Sequence, residues 1–241
     1  MTGKSAGISV IVSAMIGISS ISLLAAQEIM RPEDIKSKRQ IIYDDSTYGR
    51  LANLWKEYYD RFPSEYAYAN WMYASRYAEM KDYAKMLDKG LEKYSANPTL
   101  LYLEGLKAQG KKYHDETSSK EYYERSAALD PNYMDPWFAL IPEYMKADDE
   151  QRTDLALRRI LSSGVISDEI MDYNYNLLIS LDKGALLVTN GDNDTYPGWI
   201  LTRILKVRPD IVIVNRSLLN ADWYPLYLTG HGAPYFINQD D

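Results

Sequence analysis

The chain has 241 residues, 46% of them hydrophobic and 12% aromatic, and its 27 Lys and Arg against 34 Asp and Glu give a formal charge of -7. With that balance and no basic run long enough to track a phosphate backbone, nucleic acid is excluded as a partner. There is no cysteine, which excludes disulfides, thiolate zinc sites, a cysteine nucleophile and an acyl-cysteine anchor.

At the amino end, Lys4 precedes an uncharged, mostly apolar run from Ser5 to Gln27, the architecture of an export signal. Ala25 and Ala26 are small enough for cleavage. The alternative is an uncleaved N-terminal anchor, because about 20 apolar residues just span a bilayer. Residues 1–27 are therefore expected to be a signal peptide or anchor. A leader without any cysteine favours a bacterial periplasm or cell envelope over a disulfide-rich secreted scaffold, and membrane contact is expected only through this segment. Residues 28–47 are charged, lack helical periodicity and are expected to be a spacer.

From Tyr48 the pattern changes. Leu51, Leu54, Trp55, Tyr58, Tyr59 and Phe62 recur at three- and four-residue spacing, which predicts an amphipathic helix stopped at Pro63. Further helices are predicted at about 65–79, 82–95, 99–112, 119–129, 134–146, 152–163 and 168–181, making residues 48–183 a helical repeat domain. Pro63, Pro98 and Pro131 lie about 35 and 33 residues apart, close to a period of about 34. Ser126-Ala127-Ala128-Leu129-Asp130-Pro131-Asn132 ends one helix, and Trp137, Phe138 and Leu140 open the next. This junction resembles that of the tetratricopeptide family, with Trp137 and Leu140 at its large apolar positions. Ile141 stands where that family prefers Gly or Ala, and Gly105 sits inside a helix whose following loop, Lys111 to Ser119, is long. The resemblance covers roughly residues 48–165 and implies stacked helix pairs with an extended concave binding surface. Pro136 suits a first helical turn, whereas Pro142 is expected to kink or interrupt its helix. Tyr58, Tyr59, Tyr66, Tyr68, Tyr73, Tyr77, Tyr122 and Tyr123 either line that surface or pack between helices with hydroxyls at the rim. Aromatic periodicity favours packing.

Near Lys183 the signal switches. Ala185 to Thr189 is a short apolar run. A polar turn from Asn190 to Thr195 follows, then the helical pattern Trp199, Ile200, Ile204, Leu205 and a second β-branched run, Ile211 to Asn215. Two such strands joined by a helix are expected to be parallel with a right-handed crossover, so both carboxyl ends open on one edge. Ligands of open α/β sheets bind at that edge. Asn190, Asp192, Asn193, Asp194 and Thr195 after the first strand, and Asn215, Asn220 and Asp222 at the second, are the candidate ligand-binding residues. Residues 184–241 thus read as a small or incomplete α/β element, completed by a third strand at Tyr235 to Ile237, by packing on the last helices, or by another chain.

The strings TNGDNDTYPGWIL and VRPDIVIVNRSLLNADWY resemble a segment in the soluble portion of multispanning bacterial membrane proteins related to protein O-mannosyltransferases. The resemblance covers about residues 184–228. It implies an extracytoplasmic α/β element, with 190–195 and 220–224 as matching positions, and carries over no glycosyltransferase activity because the family's transmembrane catalytic part is absent.

Several chemistries compete at this loop. Asp192 and Asp194 are ligands of the type that a hard cation takes, but the metal, if any, is unknown and the sequence requires no cofactor. EF-hand spacing and both common phosphate-binding glycine patterns are missing. Paired carboxylates also serve general acid/base work on sugars. The plainer account is that Asp194 or Thr195 caps the helix, Pro197 lies in its first turn, and Asn190 and Asp192 make side-chain turns. A Ser217-His231-Asp222 triad lacks any nucleophile-elbow pattern, and His231 is expected to face solvent. Two functions follow. One is a non-catalytic exported helical-repeat scaffold for a protein, peptide or glycan-bearing partner. The other is a ligand-binding or enzymatic accessory of envelope glycan chemistry that uses loop 190–195.

Overall fold

The computed structural model describes residues 30–109 and 116–234. The leader, most of the Lys111 to Ser119 loop with His114, and the expected third strand at Tyr235 to Ile237 lie outside the described residues. From Arg31 the chain is mainly helical with a small two-stranded sheet near its carboxyl end, as expected. The helices are α1 (Asp45–Arg61), α2 (Glu65–Tyr77), α3 (Tyr83–Lys93), α4 (Pro98–Gln109), α5 (Glu116–Leu129), α6 (Asp135–Lys146), α7 (Glu150–Ser163) and α8 (Asp168–Ile179). Strand β1 (Leu186–Thr189), helix α9 (Asp192–Trp199), a π-helical turn at Ile200–Ile204, β2 (Val212–Asn215), a 3-10 turn at Leu218–Asn220 and α10 (Trp223–Gly230) follow.

Local chemistry sets the helix starts. The Asp44, Ser64, Asn97 and Asp149 side chains accept the amides of Thr47, Ala67, Leu100 and Arg152, each satisfying a donor that has no partner in the first turn. Because Asp44 is a cap, α1 begins three residues before the first apolar repeat at Tyr48. Gly164 ends α7 at φ 69°, where a left-handed residue without Cβ costs little.

Helices pair as hairpins: α1 with α2, α4 with α5, and α6 with α7, while α3 bridges α2 and α4. Trp55, Met72, Leu87, Leu100, Leu103, Leu140 and Ile160 lie in a single continuous core. Of the tyrosines, Tyr68, Tyr73 and Tyr123 are buried and Tyr58, Tyr59 and Tyr77 half-buried against that core. Packing between helices is thus their main role.

Pro142 lies inside α6, which continues through it to Lys146. Of the expected kink or interruption, the interruption does not occur. A proline at this position leaves the carbonyl four residues earlier without its amide donor, and here the Tyr196 hydroxyl donates to the Phe138 carbonyl at 3.1 Å. Pro197 repeats the device in α9. It sits at the sixth residue, past the first turn, and the Asn193 carbonyl four residues back accepts from Asn174 Nδ2 of α8 at 2.9 Å. Two helix-interior prolines thus expose carbonyls through which α8 and α9 are joined and α9 is fastened to α6.

The sheet is parallel, with Leu186 beside Val212 and Thr189 beside Asn215. Both strands therefore end at the same level, as the strand-helix-strand pattern predicts. Arg208 fastens the sheet's other end: its guanidinium donates to the carbonyls of Leu178, Leu181 and Asp182 and to the Asp210 carboxylate.

Residues 31–43, expected to be a spacer, pack across the helices. The Ile35 amide donates to Asn70 Oδ1 and the Lys38 amide to the Tyr73 hydroxyl, while Trp55 Nε1 donates to the Glu33 carbonyl. Ser37 donates to Asp135, a carboxylate buried at the start of α6 that also accepts from the Tyr73 and Tyr133 hydroxyls. The segment lacks periodicity because its extended backbone is satisfied by side chains of other elements.

Candidate functional site

The β1–α9 turn carries the first five candidates, and its geometry divides them. Asp194 accepts the amides of Asn190 at 2.7 Å and Gly191 at 2.8 Å, one on each carboxylate oxygen. That is helix capping, and it commits both oxygens. Thr195 is fully buried and Asn215 nearly so. Asn215 Nδ2 donates to Thr195 Oγ1 at 3.1 Å, the Thr195 and Thr189 hydroxyls are 2.7 Å apart, and Thr189 donates to the Val214 carbonyl at 3.2 Å. The four groups form one donor chain that ties α9 to both strand ends. Asn215 Oδ1 also accepts the amides of Ser217 and Leu218, so its whole side chain shapes the turn after β2. Burial raises the pKa of the Tyr224 phenol, which accepts the Asn215 amide, to about 12.

The remaining loop residues face a cleft of about 650 Å³, bounded by Lys38, Arg39 and Gln40 on one side, Glu169 and Tyr173 of α8 on another, and residues 190–194 on the third. Asp192 pairs with Arg39. The guanidinium also lies over the Phe138 ring at 4.8 Å, a cation–π contact. Asn190 Oδ1 accepts from Arg216 Nη1 at 3.0 Å, linking the ends of the two strands. Glu169 is held below the usual carboxylate range by the Ser167 hydroxyl. Tyr173 is 66% exposed, a broad aromatic face at the cleft mouth.

Asn220 and Asp222 lie elsewhere. Asn220 donates to the Ser217 carbonyl within its 3-10 turn, and Asp222 precedes α10; neither lines the cleft. His231 turns its two nitrogens to the Tyr227 carbonyl and to Asp148 and Glu150, so no Ser217-His231-Asp222 triad is assembled. Lys38, Arg39, Glu169 and Tyr173 are cleft residues that sequence reasoning missed. The spacing of Tyr173 on α8 gives a helix position but no cue to its outward role. Arg39 meets Asp192 across 153 residues of chain, which leaves no local signal.

A family model described as TMEM260-associated domain 2 matches residues 170–227. The matched stretch runs from α8 into α10 and contains the Asn174–Asn193 contact, the buried Thr–Asn chain and the 190–194 wall of the cleft. It overlaps the 184–228 segment whose strings carry the resemblance described above. No curated protein and no solved structure matches the chain.

Proposed function

We propose that the protein is an exported, non-catalytic helical-repeat scaffold that binds a glycan-bearing polypeptide in the cleft between residues 38–40, α8 and the β1–α9 turn. The observation that carries this reading is the cleft itself. An exposed aromatic face at Tyr173 stands beside amide and carboxylate groups from Gln40, Asn190, Asp192 and Asn193. Flat aromatic area with a few convergent polar groups suits a sugar ring on a peptide. The tetratricopeptide resemblance of the helix pairs favours a protein partner, and the resemblance of 184–228 to proteins related to O-mannosyltransferases favours a glycan on it. The leader architecture supports an encounter in the periplasm or cell envelope. Among the described residues no helix is long and apolar enough to cross a membrane.

An acid/base role at this loop finds less support, since Asp194 is turned toward two backbone amides as a helix cap and Asp192 is paired with Arg39. Calorimetry of the full chain against an O-mannosylated peptide, the same peptide without sugar, and magnesium or calcium alone separates the readings. The expected result is heat with the glycopeptide, weakened about tenfold or more by Tyr173→Ala, the scale of losing one aromatic anchor. Absence of heat with both peptides, or equal binding by Tyr173→Ala, sinks the scaffold reading. Saturable cation binding lost in Asp192→Asn would support the accessory reading instead.

A further inference from the structure

Away from that cleft, the α6–α7 turn and the end of α10 bring Asp148, Glu150 and His231 together, with one ligand-type atom of each within 4.8 Å of the others. His231 Nε2 lies 3.4 Å from Asp148 Oδ1 and 3.3 Å from Glu150 Oε1. The ring is held in place. Its Nδ1 is 2.7 Å from the Tyr227 carbonyl, and it stacks on the Tyr227 ring with centroids 4.0 Å apart. A carbonyl only accepts, so Nδ1 bears a proton, and in the neutral imidazole the lone pair is then on Nε2. That lone pair faces two carboxylate oxygens, an arrangement that is repulsive unless a cation lies between them.

A protonated imidazole is the competing account. It would pair with one carboxylate at a similar separation, and the zinc titration below separates the two accounts. The two separations match the edges of a tetrahedron around zinc, whose nitrogen and oxygen ligands at about 2.0–2.2 Å stand roughly 3.3–3.5 Å from each other. The wider Asp148–Glu150 edge closes by rotation of Asp148, which is 76% exposed.

Glu150 is oriented by two donors, one on the far oxygen and one on the oxygen that faces His231. Its Oε2 accepts from Arg203 Nη2 at 2.6 Å and its Oε1 from the Tyr227 hydroxyl at 3.0 Å. Arg203 is shared with Asp154 at 2.7 Å, and Lys206 lines the adjoining cleft of about 260 Å³. Three carboxylates face two side-chain cations here, leaving a net negative site.

We propose that Asp148, Glu150 and His231 bind a divalent cation of the zinc type, with a water as fourth ligand, pinning the α6–α7 turn to the end of α10. The test titrates zinc chloride into the metal-free full chain in competition with a chromophoric chelator, and follows melting temperature in parallel. One equivalent should bind and raise the melting temperature. Asp148→Asn and His231→Ala should each weaken binding about tenfold or more and cancel the thermal shift, as loss of a ligand does. Glu121→Gln, an exposed carboxylate of α5, should change nothing. Asp148 lies on an exposed turn, so Asp148→Asn decides the matter if His231→Ala fails to fold. Absence of saturable binding, or binding that survives Asp148→Asn, overturns the proposal. So does a melting temperature that follows pH through the imidazole range but ignores zinc, which would identify a protonated His231 ion pair.

Discussion

Pro142 and Tyr196 show how one residue's deficit sets another's role. Without an amide at 142, the Phe138 carbonyl depends on the Tyr196 hydroxyl, and the two rings also meet edge to face at 4.7 Å. Tyr196→Phe keeps the ring contact and strands a buried carbonyl, so it should cost about 1–3 kcal/mol in urea unfolding. In a Pro142→Ala background the helix supplies its own amide and the same substitution should cost less, a non-additivity that a double-mutant cycle measures directly. Equal costs in both backgrounds would show that the hydroxyl has no such role. Asp210 makes a second prediction at this scale. The Arg208 guanidinium beside it, helped by the Gly184 amide, holds its carboxyl well below the usual range. A folded-state pKa below the unfolded one contributes stability that is complete above the unfolded value near pH 3.9 and is lost as pH falls toward the folded value. Acid unfolding should therefore be less steep below about pH 4 in Asp210→Asn than in the wild type, with the two curves parallel above it.

Between elements, the close approach of α4 and α5 is set by Gly105. A Cβ there would lie 2.7 Å from Tyr123 Cδ1 and closer still to Cε1, and Tyr123 is fully buried. Alanine gains about 1 kcal/mol in helix propensity, but forcing a fixed ring out of the core costs about 1–3 kcal/mol. Gly105→Ala should thus be neutral to destabilising by up to about 2 kcal/mol, and Gly105→Ala with Tyr123→Leu should recover part of the loss. Thermal unfolding of the two variants checks both signs. In sequence, Gly105 reads as a departure from the repeat pattern, because its reason lies on a different helix. Helices α1 to α8 are legible, since apolar residues recur along them at helical spacing and several carry their own caps at Asp44, Ser64 and Asp149, whereas α10 at Trp223–Gly230 is not expected from the sequence. Parallel pairing of β1 and β2 is legible too, because a short helix between two apolar runs leaves few other topologies. What proline does inside α6 is not, since the local rule predicts a kink or a break and the compensating donor lies 58 residues away. The candidate site divides in the same way. Residues 190–194 announce themselves as polar groups at a strand end, but the division of labour between Asp194, Thr195 and Asn215 inside the fold and Asp192 at the cleft depends on which backbone amides lie nearby.

Across the whole molecule, residues 31–43 join what the hairpins alone leave separate. Trp55 of α1, Asn70 and Tyr73 of α2, Asp135 of α6 and Asp192 of α9 all hold this one segment. Its contacts are mainly to backbone, so its charged composition, which reads as a solvated spacer, says little about where it lies. Among the side chains of the segment that do reach out, Arg39 meets Phe138 and Asp192 together and so couples the segment to both α6 and the cleft wall. Removing it should loosen the far end of the segment as well as the cleft. The Ile35 and Lys38 amides are the reporters, because each donates to a side chain of α2 and exchanges only when that contact opens. In Arg39→Ala a loss of about 1–2 kcal/mol from the cation–π and ion-pair contacts should speed hydrogen exchange at both amides roughly tenfold, since 1.4 kcal/mol is a factor of ten in the opening equilibrium. Amides in the centre of α1, which Arg39 does not touch, should exchange as in the wild type. If Ile35 and Lys38 are equally unaffected, the segment is held by α1, α2 and Asp135 of α6 without Arg39, and the link from the helical hairpins to the cleft runs through Tyr196 and the Phe138 carbonyl.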